Sequence, residues 1–183
     1  FLAAEERHDP LTLPGVERAC ELILSHVRRG SRIAVFGDYD VDGVCSTAIL
    51  VRALRALGAD PAWELPSRFD EGYGLSTAAV ERLAARGVGL LVTVDCGITA
   101  VEQVAAARAA GVEVVVTDHH RPGAELPDCT VVHPALAATA SAAGRRRTAS
   151  RTGCVRRDRS DRARRLDGCS KACGWPGEWV TIG

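Results

Sequence analysis

The sequence has no methionine among its 183 residues, and we expect its first residue to be a cut edge rather than a natural start. It also lacks the basic-then-apolar order of a secretory signal peptide and any apolar run long enough to span a membrane. These absences favour a cytoplasmic protein that does not associate with membranes. The length suits one domain of ordinary size with a hydrophobic core.

Zinc-binding and disulfide patterns are missing as well, although the chain has seven cysteines. Their number is odd, and no CxxC pair is followed by a second pair. Cys169 and Cys173 are four residues apart, but no neighbouring residues complete a set of four metal ligands. We therefore expect free thiols that serve mostly in packing.

Charge is divided unevenly along the chain, although the net charge is zero. Residues 1–134 contain 12 arginines, no lysine and 19 acidic residues, a balance of −7, whereas residues 135–183 carry +7. One interpretation is an acidic catalytic domain followed by a basic arm that binds nucleic acid. The other is that the two halves do not belong together.

Apolar, β-rich runs alternate with stretches of helical spacing from residue 32 to about residue 133. This alternation predicts an α/β fold with a Rossmann-like parallel sheet flanked by helices on both faces. The predicted strands are 32–36, 62–65, 90–94, 112–117 and 130–132.

Apolar periodicity and capping residues predict four helices. Ser76 and Thr99 are expected to cap the third and the fourth of them. The predicted helices are about 15–29, 44–57, 77–86 and 100–110. The domain organisation that follows is a lead-in with one helix (1–31), an incomplete α/β domain (32–136) and a tail (137–183).

Acidic and imidazole side chains follow three of the predicted strands directly. Because ligands of open α/β sheets bind outside the carboxyl ends of the strands, we expect these clusters to meet at one edge. The clusters are Asp38-Tyr39-Asp40-Val41-Asp42-Gly43, Asp95-Cys96-Gly97 and Asp118-His119-His120.

Five carboxylates and two imidazoles at one edge would repel one another unless cations neutralise them. Hard oxygen donors with imidazole suit Mn²⁺ or Mg²⁺, and two such ions would support phosphoryl chemistry. Each cluster alone has a plainer explanation, such as an acidic turn that caps the next helix or an exposed histidine pair. An EF-hand is rejected because its twelfth position, counted from Asp38, is Ile49 rather than a glutamate.

The three clusters resemble the sequence motifs of the DHH phosphoesterases. Phe36 to Gly43 is similar to the first motif, Val94 to Gly97 to the second, and Thr117 to His120 to the third. The resemblance implies two Mn²⁺ or Mg²⁺ ions and four residues that are both metal ligands and catalytic: Asp40, Asp42, Asp95 and His119. Three further residues would orient these ligands or face the substrate: Asp38, Asp118 and His120.

Two other stretches, 8–15 and 66–75, resemble the RecJ single-strand exonucleases of this family in particular. That resemblance implies hydrolysis of single-stranded DNA from its 5′ end, in DNA repair and recombination. Separately, we expect a monomer. Within the second stretch, Arg68 is the candidate phosphate contact, because a guanidinium can hold two phosphate oxygens. An ion pair of Arg68 with Asp70 or Glu71 is the competing interpretation.

The resemblance ends at about residue 136. The tail is rich in Ala, Arg, Ser, Thr and Gly without helical or strand periodicity, and neither a fourth aspartate motif nor a second domain follows. A basic nucleic-acid-binding arm is one explanation, and an out-of-frame translation is the one we favour. We expect a disordered tail and little or no nuclease activity in the chain as it stands.

Two other functions stay open at this stage. One is hydrolysis of small nucleotides or pyrophosphate, which other DHH enzymes perform. The second is a truncated, non-catalytic remnant that holds metal and nucleic acid without cleaving. The two RecJ-like stretches favour the exonuclease over both.

Overall fold

The structure is a computed structural model that describes residues 9–66 and 74–136. A 3₁₀ turn at Pro10–Thr12 precedes the regular elements. The helices are α1 (Val16–Arg28), α2 (Val41–Ala56), α3 (Thr77–Ala85) and α4 (Val101–Ala109), and the strands are β1 (Ile33–Gly37), β2 (Ala62–Glu64), β3 (Leu90–Val94), β4 (Glu113–Thr117) and β5 (Thr130–Val132).

The five strands form one sheet in the order β2-β1-β3-β4-β5, and every neighbouring pair is parallel. The predicted parallel α/β sheet is therefore confirmed. From β1 the chain first moves outward to β2 and then returns to the other side of β1 as β3. The strand order thus reverses between β1 and β3, which is where ligands of such sheets bind.

The sheet separates two hydrophobic cores. Side chains of α1 and α2 pack on one face, against Val35 and Val92, and side chains of α3 and α4 pack on the other, against Phe36 and Val116. The three central strands are almost wholly buried because both of their faces are covered. Burial of each such side chain contributes about 1.5–3 kcal/mol, which holds the strand ends in fixed positions.

Two helix starts differ from the sequence prediction. Helix α2 begins at Val41 rather than residue 44, because Asp40 caps it by accepting a hydrogen bond from the Gly43 amide at 2.9 Å. The predicted cap of α4 at Thr99 is wrong: the N-cap is Ala100, which makes no side-chain hydrogen bond. Ser76 does cap α3, as predicted, by accepting from the Ala79 amide.

Two of the predictions fall on parts of the chain that the structure does not describe. Arg68 and its alternative partners Asp70 and Glu71 lie outside the described residues, and so does the tail 137–183. Within the described ranges, no helix is long and apolar enough to cross a membrane.

Candidate metal centre

The three clusters predicted from the sequence lie together at the carboxyl edge of the sheet. Ligand atoms of Asp95, His119 and His120 are all within 4.8 Å of one another, and the same is true of Asp38, Asp40 and Asp95. Asp95 belongs to both groups. Its position after the central strand β3, next to both β1 and β4, explains why it is the shared member.

Asp95 has an unusual backbone. Its φ of 61° makes it the one non-glycine residue with a positive φ in the part of the chain that the structure describes. Its amide donates to the Thr117 carbonyl at 2.9 Å, and the Thr93 hydroxyl donates to the Cys96 carbonyl at 2.8 Å. Aspartate tolerates the left-handed region better than most residues, but such a residue still costs about 1 kcal/mol or more.

The carboxylate of Asp95 is held in an unfavourable state for a protein without bound cations. The residue is only 7% exposed, and its Oδ2 has no hydrogen-bond partner among the described residues. Burial raises the pKa of Asp95, and the nearby charge of Asp40 raises it further. Its Oδ1 lies 2.9 Å from Nε2 of His119. A buried carboxylate oxygen without a donor is the arrangement that a cation would relieve.

The first cluster depends on a close approach between β1 and the start of α2. A Cβ at Gly43 would lie 2.6 Å from the Cα of Asp38, so only glycine lets the helix begin here. Asp38 is buried and accepts a hydrogen bond from the Tyr39 amide at 2.6 Å. The hydrogen bond from the Gly43 amide lowers the pKa of Asp40, which favours a charged carboxylate at the edge.

Asp42 is the predicted ligand that the structure does not bring into either group. It lies in the first turn of α2, where it is exposed. Because α2 starts three residues earlier than predicted, Asp42 is part of a helix and not of the loop that carries Asp38 and Asp40.

Asp118 uses its carboxylate to build the turn that carries the two histidines. Oδ1 accepts from the amides of His119 and His120 and from Nδ1 of His120, at 2.7, 3.0 and 2.8 Å, and Oδ2 accepts from the Ile98 amide at 2.9 Å. Burial alone would raise the pKa of Asp118, but these hydrogen bonds outweigh burial and lower it. The hydrogen bond between Nδ1 of His120 and Oδ1 of Asp118 raises the pKa of His120.

This geometry gives His120 a fixed orientation. Because Nδ1 is bonded to Asp118, Nε2 is the nitrogen left to the group that contains Asp95 and His119. A carboxylate bonded to the far nitrogen of a histidine is the common arrangement behind metal-bound imidazoles. The resemblance to the DHH phosphoesterases implied an orienting or substrate-facing role for His120, and the geometry equally suits it as a ligand.

His133 belongs to the same network, and the sequence analysis did not single it out. It follows β5, is 1% exposed, and donates from Nε2 to the His120 carbonyl at 2.6 Å. Its Nδ1 accepts from the Ala135 amide at 3.1 Å. The available signal was its position directly after a strand, which it shares with the three recognised clusters.

Residues 32–148 match the family model described as the DHH family, N-terminal domain. The chain belongs to the DHH family. The matched region extends twelve residues beyond residue 136, where the motif resemblance ends.

Curated relatives of this DHH-family chain are single-stranded-DNA-specific exonucleases named RecJ. The protein from Thermus thermophilus is 50% identical over 140 residues, which are 74% of this chain and 21% of the relative. The protein from Bacillus subtilis is 41% identical over 128 residues, 69% of this chain and 16% of the relative. The chain therefore spans about one fifth of the length of these relatives.

A crystal structure of exonuclease RecJ bound to manganese has the same fold as this DHH-family chain. The TM-score is 0.67 at 47% identity, with 71% of this chain and 34% of that chain covered. The predicted resemblance to RecJ and the predicted fold class are both confirmed by these matches.

Proposed function

We propose that this chain carries the metal-binding part of a RecJ-like exonuclease, which hydrolyses phosphodiester bonds of single-stranded DNA from the 5′ end. The observation that carries the proposal is the buried Asp95 carboxylate, shared by two groups of ligand atoms at the point where the strand order reverses. Relatives that are 41–50% identical, and whose names state single-stranded DNA as substrate, support the choice of reaction.

The residues present fit a hard divalent cation. Carboxylate oxygens and imidazole nitrogens suit Mn²⁺ and Mg²⁺, and no cysteine belongs to the two ligand groups found among the described residues. The residues proposed to hold two ions are Asp40, Asp95 and His119, together with Asp38 and His120, which belong to the same ligand groups. Asp42 stays a proposed ligand from the resemblance alone, because it lies outside both groups. Bound there, a divalent cation would neutralise charge that develops on a phosphoryl group.

The chain's own contribution is to position these groups before a substrate arrives. Asp118 holds the His119–His120 turn, and the Asp95 carboxylate lies within 4.8 Å of the ligand atoms of both groups. Such preorganisation avoids reorganisation during the reaction. Arg68 remains the proposed phosphate contact.

The test uses the full chain and its Asp95→Asn variant. We expect calorimetric titration to show Mn²⁺ binding by the unaltered chain and none by the variant, because Asp95 is shared by both ligand groups. Equal Mn²⁺ binding by both proteins would contradict the metal centre.

Substrate preference is tested on the same proteins with Mn²⁺ added. We expect any hydrolysis to favour a 5′-labelled single strand over a dinucleotide and over pyrophosphate. Faster hydrolysis of the dinucleotide would favour a small-nucleotide phosphodiesterase over the exonuclease, and faster hydrolysis of pyrophosphate would favour a pyrophosphatase. Metal binding with no hydrolysis at all would favour the non-catalytic remnant.

We also propose that the protein works as a monomer in the cytoplasm with single-stranded DNA as its partner. Light scattering after size-exclusion chromatography should then give a mass near 19.4 kDa. A mass twice as large would contradict the monomer.

A further inference from the structure

A groove of about 340 Å³ lies between α2 and the edge strand β2, outside the metal centre. Helix α2 contributes Val44, Val51, Arg52 and Arg55 to its lining. On the other side are Trp63, which lies in β2, and Leu65, which follows β2 directly. No acidic residue lines it within the described part of the chain. The groove is therefore apolar in its walls and positive in its charge.

Trp63 presents an indole to this groove. It is the central residue of β2, paired with Val35, yet it is 58% exposed. Its neighbours Ala62 and Glu64 belong to the opposite face of the sheet, where Ala62 packs against the core and Glu64 forms an ion pair with Arg82. An indole that packs into neither core is available for stacking.

The cations of the groove are Arg52 and Arg55. They are three residues apart on α2, so they lie on the same side of the helix, and both are exposed. Neither has a carboxylate within ion-pair distance in the described ranges, whereas Arg18, Arg82 and Arg108 are paired. As far as the described residues show, two guanidinium groups can thus contact an anion.

One end of the groove adjoins the metal centre. The Val44 amide donates to the Asp40 carbonyl at 2.9 Å, and a Cβ at Gly37 would lie 2.9 Å from Cδ2 of Leu65. From Val44 the helix continues for about 16 Å to Arg55. A polymer held at the Asp38–Asp40 turn therefore has a path along α2.

We propose that this groove binds a single strand of nucleic acid next to the metal centre, with a base stacked on Trp63 and phosphates held by Arg52 and Arg55. Exposed aromatic rings beside unpaired cations are the usual platform for single strands. The proposal rests on the proposed function, since it assigns the path of that reaction's substrate.

The experiment measures binding of a fluorescein-labelled oligothymidylate to the full chain by anisotropy, with EDTA present to prevent cleavage. Trp63→Ala should weaken binding about tenfold, whereas Trp63→Phe should retain most of the affinity because a ring still stacks. Arg52→Gln with Arg55→Gln should reduce the slope of log affinity against log salt by about 1.4, as expected for two lost phosphate contacts on a single strand.

The matched control is Arg28→Gln with Arg86→Gln, which removes the same charge from exposed sites that do not line the groove. It should leave the salt slope close to that of the unaltered chain. An equal reduction of the salt slope in both double variants would mean that net charge alone drives binding. That result would overturn the proposal that the groove binds the strand.

The outcomes separate this inference from the function on which it rests. Oligonucleotide binding that none of the groove variants changes would overturn the groove and leave the exonuclease proposal standing. No binding by the unaltered chain, with Mn²⁺ affinity intact, would overturn both. Dimers that Trp63→Ala converts to monomers would show that a second copy occupies the groove, and would also overturn the proposal.

Discussion

Three features that are unfavourable for stability coincide at Asp95. Its backbone is left-handed, its carboxylate is buried, and Oδ2 has no hydrogen-bond partner in the described part of the protein. Each of these features destabilises the fold in the absence of a cation. The proposed metal centre explains why one residue combines all three.

We predict that Asp95→Asn stabilises the metal-free protein. Asparagine keeps the size and the tolerance for positive φ, while it removes a buried charge close to Asp40. The free energy of unfolding should rise by about 1 kcal/mol, or roughly 2–4 °C in Tm, measured by thermal denaturation in EDTA. Asp60→Asn, at an exposed site, should change Tm little. A lower Tm for Asp95→Asn would contradict this account.

His133 is a proposed positioning residue, because its Nε2 donates a hydrogen bond to the His120 carbonyl. His133→Ala should weaken Mn²⁺ binding about tenfold or more, since residues that orient metal ligands typically contribute this much. His133→Gln should restore part of that affinity, because its side-chain amide can donate to the same carbonyl. Calorimetric titration of the folded variants measures both.

The matched control is His26→Ala. His26 is also buried, but it is bonded to Glu113 near the opposite edge of the sheet. Both alanine variants should lower the stability of the fold, and only His133→Ala should lower the affinity for Mn²⁺. Equal Mn²⁺ affinities in the two variants would mean that His133 acts on the fold alone.

At the scale of single elements, the start of α2 couples the fold to the site. Asp40 is at once the N-cap of the helix and a proposed ligand, and Gly43 lets the first turn approach Asp38. A helix N-terminus favours negative charge, so the cap and the proposed ligand require the same ionised carboxylate.

We therefore predict that Gly43→Ala disrupts the protein strongly. Its Cβ would meet backbone atoms of Asp38, which cannot move aside without displacing β1. The loss should be about 1–3 kcal/mol in the free energy of unfolding, measured in urea, with weaker Mn²⁺ binding in the folded fraction. Gly89→Ala is the control, because its Cβ would make only ordinary contacts from 3.6 Å. Similar losses in the two variants would contradict a specific role for Gly43.

Sequence patterns predicted the elements well where burial determines them. Strand β3, which is buried throughout, lies where its apolar run predicts. The half-buried β5 also matches its predicted range. The start of α2 was missed because Val41 and Asp42 do not continue the apolar periodicity of the helix; the cap at Asp40 sets it instead. Thr99 does not cap α4 because a contact with another segment holds the turn before the helix. In that contact, the Ile98 amide donates a hydrogen bond to Oδ2 of Asp118.

At the scale of the whole molecule, parallel strands gather distant residues at one edge. Motifs spaced along residues 38–120 meet because β1, β3 and β4 are neighbours and end together. The convergence of the clusters was predictable from their positions directly after strands of a parallel sheet, without knowledge of the strand order. The separation of Asp42 and the contact of His133 with the His120 carbonyl were not, because they depend on the start of a helix and on one hydrogen bond.

The prediction at this scale is that Mn²⁺ stabilises the whole domain. A cation that binds only the folded state adds about 2.7 kcal/mol at a concentration one hundred times its Kd. Thermal denaturation should show a higher Tm for the full chain in Mn²⁺ than in EDTA. The Asp95→Asn variant should show the same Tm in both, and a Mn²⁺-dependent shift in that variant would place the cation elsewhere.

The edge strand β5 has a consequence for the order in which the protein is made. Val132 accepts from the Asp118 amide, and His133 holds the His120 carbonyl, so β5 secures a turn that ended ten residues earlier. During synthesis on the ribosome, that turn emerges before Val132 and His133, which make these hydrogen bonds to it. We therefore expect a nascent chain that ends before residue 133 to carry the proposed ligands without the hydrogen bonds that hold their turn, so that the proposed cation would bind only late in the synthesis of the domain.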